Sequence, residues 1–140
     1  MTTTTLKAFH HVGIAVQDIV QAANALTTLF SADAESGTID DPRQGVRVKF
    51  MTLGDLRIEL VEPAGSPSPL DSILKRGIGL YHVCHEVADL DKELDRLKTA
   101  GARIIAPPKP AAAFDGRQIA FVMCEGLMVE LLEAAPATST

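Results

Sequence analysis

The chain has 140 residues, 46% of them hydrophobic, and a formal net charge of −5. That suits one compact domain and leaves no basic footprint for nucleic acid. No apolar run approaches the roughly 18–20 residues of a membrane helix, and the opening "MTTTTLKA" lacks the apolar core of a secretory signal. Two cysteines, Cys84 and Cys124, fit thiols in a reducing cytoplasm better than a disulfide scaffold. A soluble cytoplasmic protein without nucleic-acid or membrane partners is the expectation.

In chain order, residues 1–8 read as a small, polar, disordered tail. Residues 9–16 alternate as a strand, with Val12, Ile14 and Val16 on one face and His11, Gly13 and Ala15 on the other. Asp18 stands where an N-cap belongs. Ile19, Ala22, Ala23, Leu26, Leu29 and Phe30 then follow at helical spacing as an apolar stripe. A short strand is expected near 33–38. Residues 46–52 and 56–62 alternate as a hairpin around Leu53-Gly54-Asp55. The stretch "EPAGSPSPLDSILKRGIG" is a turn-rich hinge in which "SPLDSILKR" can hold a short helix.

The same series then starts again. A strand around 80–87 leads to Asp89 as a cap, to Leu90, Leu94 and Leu97 as a helical stripe, and to Gly101 as a stop. A strand at 102–106 and a Pro/Ala-rich loop, "PPKPAAAFDG" (107–116), come next. Residues 117–123 and 127–133 form a second hairpin around Cys124-Glu125-Gly126. Residues 135–140 read as a second tail.

The repetition is a gapless duplication. Moving the chain by 71 positions lays His11, Val12, Val16, Asp18, Leu26 and Thr28 on His82, Val83, Val87, Asp89, Leu97 and Thr99. It also lays Gly45, Phe50, Leu56, Glu59, Leu60 and Glu62 on Gly116, Phe121, Leu127, Glu130, Leu131 and Glu133. Polar residues repeat as well as apolar ones, so a shared strand pattern does not account for the match. The reading is an α+β fold of two βαβββ modules, 9–63 and 80–134, joined by a connector at 64–79 into a single domain, 9–134.

Periodicity assigns the polar residues to faces. Ile58 and Leu60 share one face of their strand and leave Glu59 on the other; Val129 and Leu131 do the same for Glu130. His11 and His82 turn away from the helices. Two imidazoles and two carboxylates from equivalent positions can therefore converge, and a carboxylate in an apolar strand calls for a partner or a metal. Such a set suits one divalent ion, Co, Ni, Zn, Mn or Fe. His10 and His85 do not match one another and are read as packing residues or as supports behind the metal ligands.

The stretches "HVGIAVQDI", "QGVRVKFMTLGDLRIELVEP", "GLYHVCHEVADLD" and "GRQIAF...LMVELLE" resemble the vicinal oxygen chelate (glyoxalase/bleomycin-resistance/dioxygenase) superfamily. Within it they look most like the methylmalonyl-CoA epimerases. The resemblance implies two tandem βαβββ modules forming a half-open barrel around a metal held by His11, Glu59, His82 and Glu130. It also implies an isomerase that stabilises the enolate of a bidentate oxygen substrate such as an acyl-CoA thioester, with Glu130 moving the proton, and a homodimer. Where some members carry a second glutamate, this chain has Val48. Lys109 and Arg117, at the rim, are candidates to meet an anionic substrate. A glyoxalase-like lyase, a dioxygenase and a non-enzymatic antibiotic-binding protein remain alternatives on the same scaffold.

Overall fold

The computed structural model describes residues 6–135. Of the two expected tails, residues 1–5 and 136–140 lie outside the described residues. Residues 6–8 do not belong to a tail: β1 runs over Leu6–Ala15. The elements that follow are α1 (Ile19–Phe30), β2 (Asp33–Ala34), β3 (Ile39–Asp41), β4 (Val46–Leu53), β5 (Leu56–Pro63) and α2 (Asp71–Lys75). Then come β6 (Leu80–Val87), α3 (Leu90–Thr99), β7 (Arg103–Pro110), a 3-10 turn at Ala112–Phe114, β8 (Gln118–Cys124) and β9 (Leu127–Glu133). The class is α+β, as the alternating patterns require.

Two compact units divide the described residues, one of residues 11–83 and one of residues 84–135 with 6–10. The division falls inside β1 and β6, not at the connector. In the first unit the Ala15 N–H donates to the Gly79 carbonyl at 2.8 Å, which ties the start of β6 to the end of β1. The hydrogen-bonded strand order there is β2-β4-β5-β1, with β3 also on β4. β1 and β5 run parallel, with Val12 opposite Ile58 and Gly13 opposite Glu59. β4 and β5 form the expected antiparallel hairpin, Phe50 opposite Glu59. The strand expected near 33–38 is broken in two: β2 is only Asp33–Ala34, and β3 starts at Ile39. Ser36 and Gly37 lie between them, where the Ser36 hydroxyl donates to the Gly37 carbonyl at 2.8 Å and accepts from the Phe50 N–H of β4 at 3.0 Å, a side-chain bond in place of a backbone one.

Helix α1 forms where its cap and stripe dictate. The Asp18 carboxylate accepts from the Gln21 N–H at 3.0 Å, and such a cap contributes about 1 kcal/mol. Ile19 and Ala23 pack with Met51, Ile58 and Leu60 into the first core, with Ile14 and Val16 against it. The stripe is not buried along its whole length. Leu29 and Phe30, in the last turn, are 70% and 64% exposed.

The second unit repeats the design in the order β6-β9-β8-β7. Asp89 caps α3 through the Lys92 N–H at 3.0 Å. Leu90 and Leu94 pack with Val87, Ala120, Val122 and Leu131 into the second core, with Leu97 and Val129 against it. Gly101, at φ +97°, follows the helix end as expected. The loop expected at 107–116 is partly strand: Pro107, Pro108, Lys109 and Pro110 continue β7, which shifts register between Ala106 and Lys109. Proline is tolerated there because β7 ends the strand order, so one side of it has no ladder to supply.

Candidate metal centre

The first unit brings three of the singled-out side chains together. Since Ile58 and Leu60 enter the core under α1, alternation sends Glu59 to the opposite face of β5. His11 leaves β1 on the side opposite Ile14, and His82 comes from the start of β6. The His11 and His82 Nε2 atoms are 3.1 Å apart. Glu59 Oε1 lies 3.5 Å from His11 Nε2 and 3.5 Å from His82 Nε2. All three residues are buried, with exposures of 0%, 6% and 2% for His11, Glu59 and His82.

That triangle fits a cation. Ligands about 2.1 Å from a divalent ion stand about 3.0 Å apart at right angles and about 3.4 Å apart at tetrahedral angles. The measured separations, 3.1 and 3.5 Å, lie within about 0.1 Å of those two values. The donors are also of the right kind, two imidazole nitrogens and a carboxylate in an apolar setting, where a lone buried anion would be heavily penalised. These three side chains could hold a metal ion.

Aromatic rings fix the imidazoles. Phe50 stands edge-on to His11 with centroids 5.4 Å apart, and Tyr81 stands edge-on to its neighbour His82 at 4.4 Å. Neither was singled out from the sequence. Phe50 had a signal, since it repeats as Phe121; Tyr81 had none.

Glu130 lies in the second unit, on β9 opposite Phe121 of β8. Leu131 belongs to the core under α3 with Val129 packed on it, so Glu130 points to the other face, and it is only 3% exposed. It thus repeats within its own unit the placement that Glu59 has in the first. Lys109 sits half-buried on β7 opposite Ile119. Arg117 donates from Nη1 to the Glu133 carbonyl at 3.1 Å, and its guanidinium lies 5.6 Å from the Phe114 ring centroid. His10 packs edge-on against Phe114 at 5.2 Å and His85 against Phe9 at 5.6 Å. Among the described residues no helix is long and apolar enough to cross a membrane.

Comparison with known proteins gives the family. The model of the Glyoxalase/Bleomycin resistance protein/Dioxygenase superfamily matches residues 10–121. The ethylmalonyl-CoA/methylmalonyl-CoA epimerase of Cereibacter sphaeroides is 36% identical over 127 residues, covering 87% of this chain and 94% of that protein. The mitochondrial methylmalonyl-CoA epimerase of Homo sapiens is 31% identical over 134 residues, covering 92% and 75%. The crystal structure of methylmalonyl-CoA epimerase from Mycobacterium tuberculosis matches with a TM-score of 0.82 at 26% identity, over 97% of this chain and 93% of that one. The fold is glyoxalase-like, and the chain belongs to the glyoxalase/bleomycin resistance protein/dioxygenase superfamily.

Proposed function

We propose that the chain is a metal-dependent epimerase of the methylmalonyl-CoA epimerase type, with one divalent ion held by His11, Glu59, His82 and Glu130. The observation that carries this is the buried triangle of two imidazole nitrogens and one carboxylate oxygen. The duplication supports Glu130 as the fourth ligand, because it is to β9 what Glu59 is to β5. The 36% identity to an ethylmalonyl-CoA/methylmalonyl-CoA epimerase supports the substrate class.

A bound divalent cation supplies electrostatic stabilisation to the oxygens of a malonyl-type thioester as the α-carbon becomes acidic. The residues do the rest. His11 and His82, braced by Phe50 and Tyr81, keep their Nε2 atoms aimed at one point. Burial of all three donors excludes water, which strengthens every charge interaction there. A Glu130 carboxylate oxygen accepts the α-proton and becomes a carboxylic acid, and solvent water gives the proton that adds to the opposite face of the enolate and inverts the centre. Val48 supplies no second carboxylate, so Glu130 is the residue assigned the proton. Lys109 and Arg117 are the cations assigned to the anionic part of an acyl-CoA. A homodimer in the cytoplasm belongs to the same reading, supported by the family resemblance and the sparse cysteine content.

The test is to incubate metal-loaded protein with one epimer of methylmalonyl-CoA in deuterated water. Deuterium at the α-carbon, together with accumulation of the other epimer, is expected. Protein that holds its metal and leaves the α-hydrogen in place overturns the epimerase reading.

A further inference from the structure

We infer that Gly13 is a positioning residue that seats the His82 imidazole at the metal centre, an assignment that rests on the metal reading above. The His82 ring lies against the backbone of β1 at Gly13. A Cβ built on Gly13 would fall within the ring, meeting Cε1, Nδ1 and Nε2 of His82. No other glycine among the described residues is approached in this way: at the rest, a Cβ meets nothing closer than 3.8 Å.

The backbone does not ask for glycine here. Gly13 is absent from the positive-φ positions of the chain and sits in regular parallel pairing with Glu59. Glycine weakens a strand interior, and inside a strand it marks a close approach by another group. The approaching group is His82. The duplication makes the same point, since position 13 corresponds to Cys84 in the second module. A side chain at that place is compatible with the βαβββ design, and what excludes one at 13 is the ring lying over it.

The consequence is geometric. Gly13 neighbours Glu59 across the β1–β5 ladder, so the space above its Cα is the space beside the carboxylate. An added methyl group displaces the ring, and the 3.1 Å and 3.5 Å separations of His82 Nε2 from His11 and Glu59 open together. Gly13 touches neither substrate nor ion in this account and acts through His82.

The test is a double-mutant cycle on the full chain with G13A, H82A and the pair together. Each metal-free protein is titrated with Co(II), following the visible bands and bound cobalt by dialysis, and is melted without metal. For G13A, cobalt affinity at least tenfold weaker than wild type, a changed visible spectrum and a lower melting temperature are expected. In the H82A background the same substitution is expected to lower neither affinity nor melting temperature, since no ring remains to collide with. If G13A does not fold, recovery of folding in G13A/H82A supports the inference, and failure of the double variant to fold overturns it. G13A with the wild-type cobalt affinity and spectrum also overturns it. Wild-type protein that takes up no cobalt removes the metal reading instead, and the metal-free melts still decide whether Gly13 answers to His82.

Discussion

Phe50 and Glu59 face each other across the β4–β5 ladder, and the second unit repeats the pair as Phe121 and Glu130 across β8 and β9. Directly opposed residues on antiparallel strands share a face. Phe50 is therefore an apolar wall beside the carboxylate, and its ring edge also meets His11. Shortening it to Phe50→Leu is expected to lower stability by about 1 kcal/mol and to weaken metal binding severalfold, as His11 gains freedom. Urea unfolding of the metal-free protein and a Co(II) titration separate the two effects. Unchanged cobalt affinity would show that the ring only fills space.

Glu59 Oε1 lies 3.5 Å from the Nε2 atom of each imidazole. Second-sphere changes at metal sites already weaken affinity by roughly 10–100-fold, so removing a ligand in Glu59→Ala is expected to reach or exceed the upper figure. Metal content after dialysis reads this directly. Glu59→Gln keeps the volume and removes the charge, and it is expected to behave like the alanine variant. A glutamine variant that retains a full equivalent of metal would assign Glu59 to packing.

The proposed mechanism assigns Glu130 the proton transfer and, by duplication, a ligand position. Glu130→Gln is expected to abolish α-deuterium incorporation, with a fall of roughly 10²–10⁴ in turnover, while the fold persists by circular dichroism. Comparing metal content with turnover divides the two roles. Lost metal with lost turnover marks a ligand, and retained metal with lost turnover marks the proton carrier. Full exchange in this variant excludes both.

Much of the proposed site was readable because duplication repeats chemistry as well as pattern. His11 and His82, like Glu59 and Glu130, stand out as polar identities among apolar strands, and a period of two assigns them a face. The caps Asp18 and Asp89 were equally plain, since capping depends on one side chain and the next three residues. What escaped depends on contacts between distant segments. Gly13 looked like an ordinary small residue, because the ring that excludes a side chain there lies 69 positions further along the chain. Leu29 and Phe30 continue the α1 stripe in sequence yet stay mostly exposed, since helical periodicity does not report which turns the sheet covers. The prolines of 107–110 suggested a loop, but only the strand order shows that β7 lies at an edge where proline is admissible.

The two caps offer a control in which fold and site part company. Asp18→Ala and Asp89→Ala each remove a carboxylate that accepts from a first-turn N–H at 3.0 Å. Each is expected to reduce unfolding free energy by about 1 kcal/mol, with metal content and turnover unchanged at temperatures well below melting. Denaturant unfolding and metal analysis of the same samples check this. Loss of metal from either variant at full folding would mean that helix placement, and not the strands, sets the donor geometry.

Metal removal tests the triangle without any substitution. A ligand that binds only the folded state stabilises it by mass action, by about 2.7 kcal/mol when its free concentration is 100 times the dissociation constant. His11, Glu59 and His82 come from β1, β5 and β6, separated in sequence, and an unfolded chain does not preform that set. Stripping the metal with a chelator is therefore expected to lower the melting temperature by several degrees, and restoring one equivalent of Co(II) or Zn(II) should recover it. His11→Ala should melt at one temperature whether metal is present or not. A wild-type melting point indifferent to both chelator and added metal would leave the three donors as a hydrogen-bonded cluster with no ion to hold.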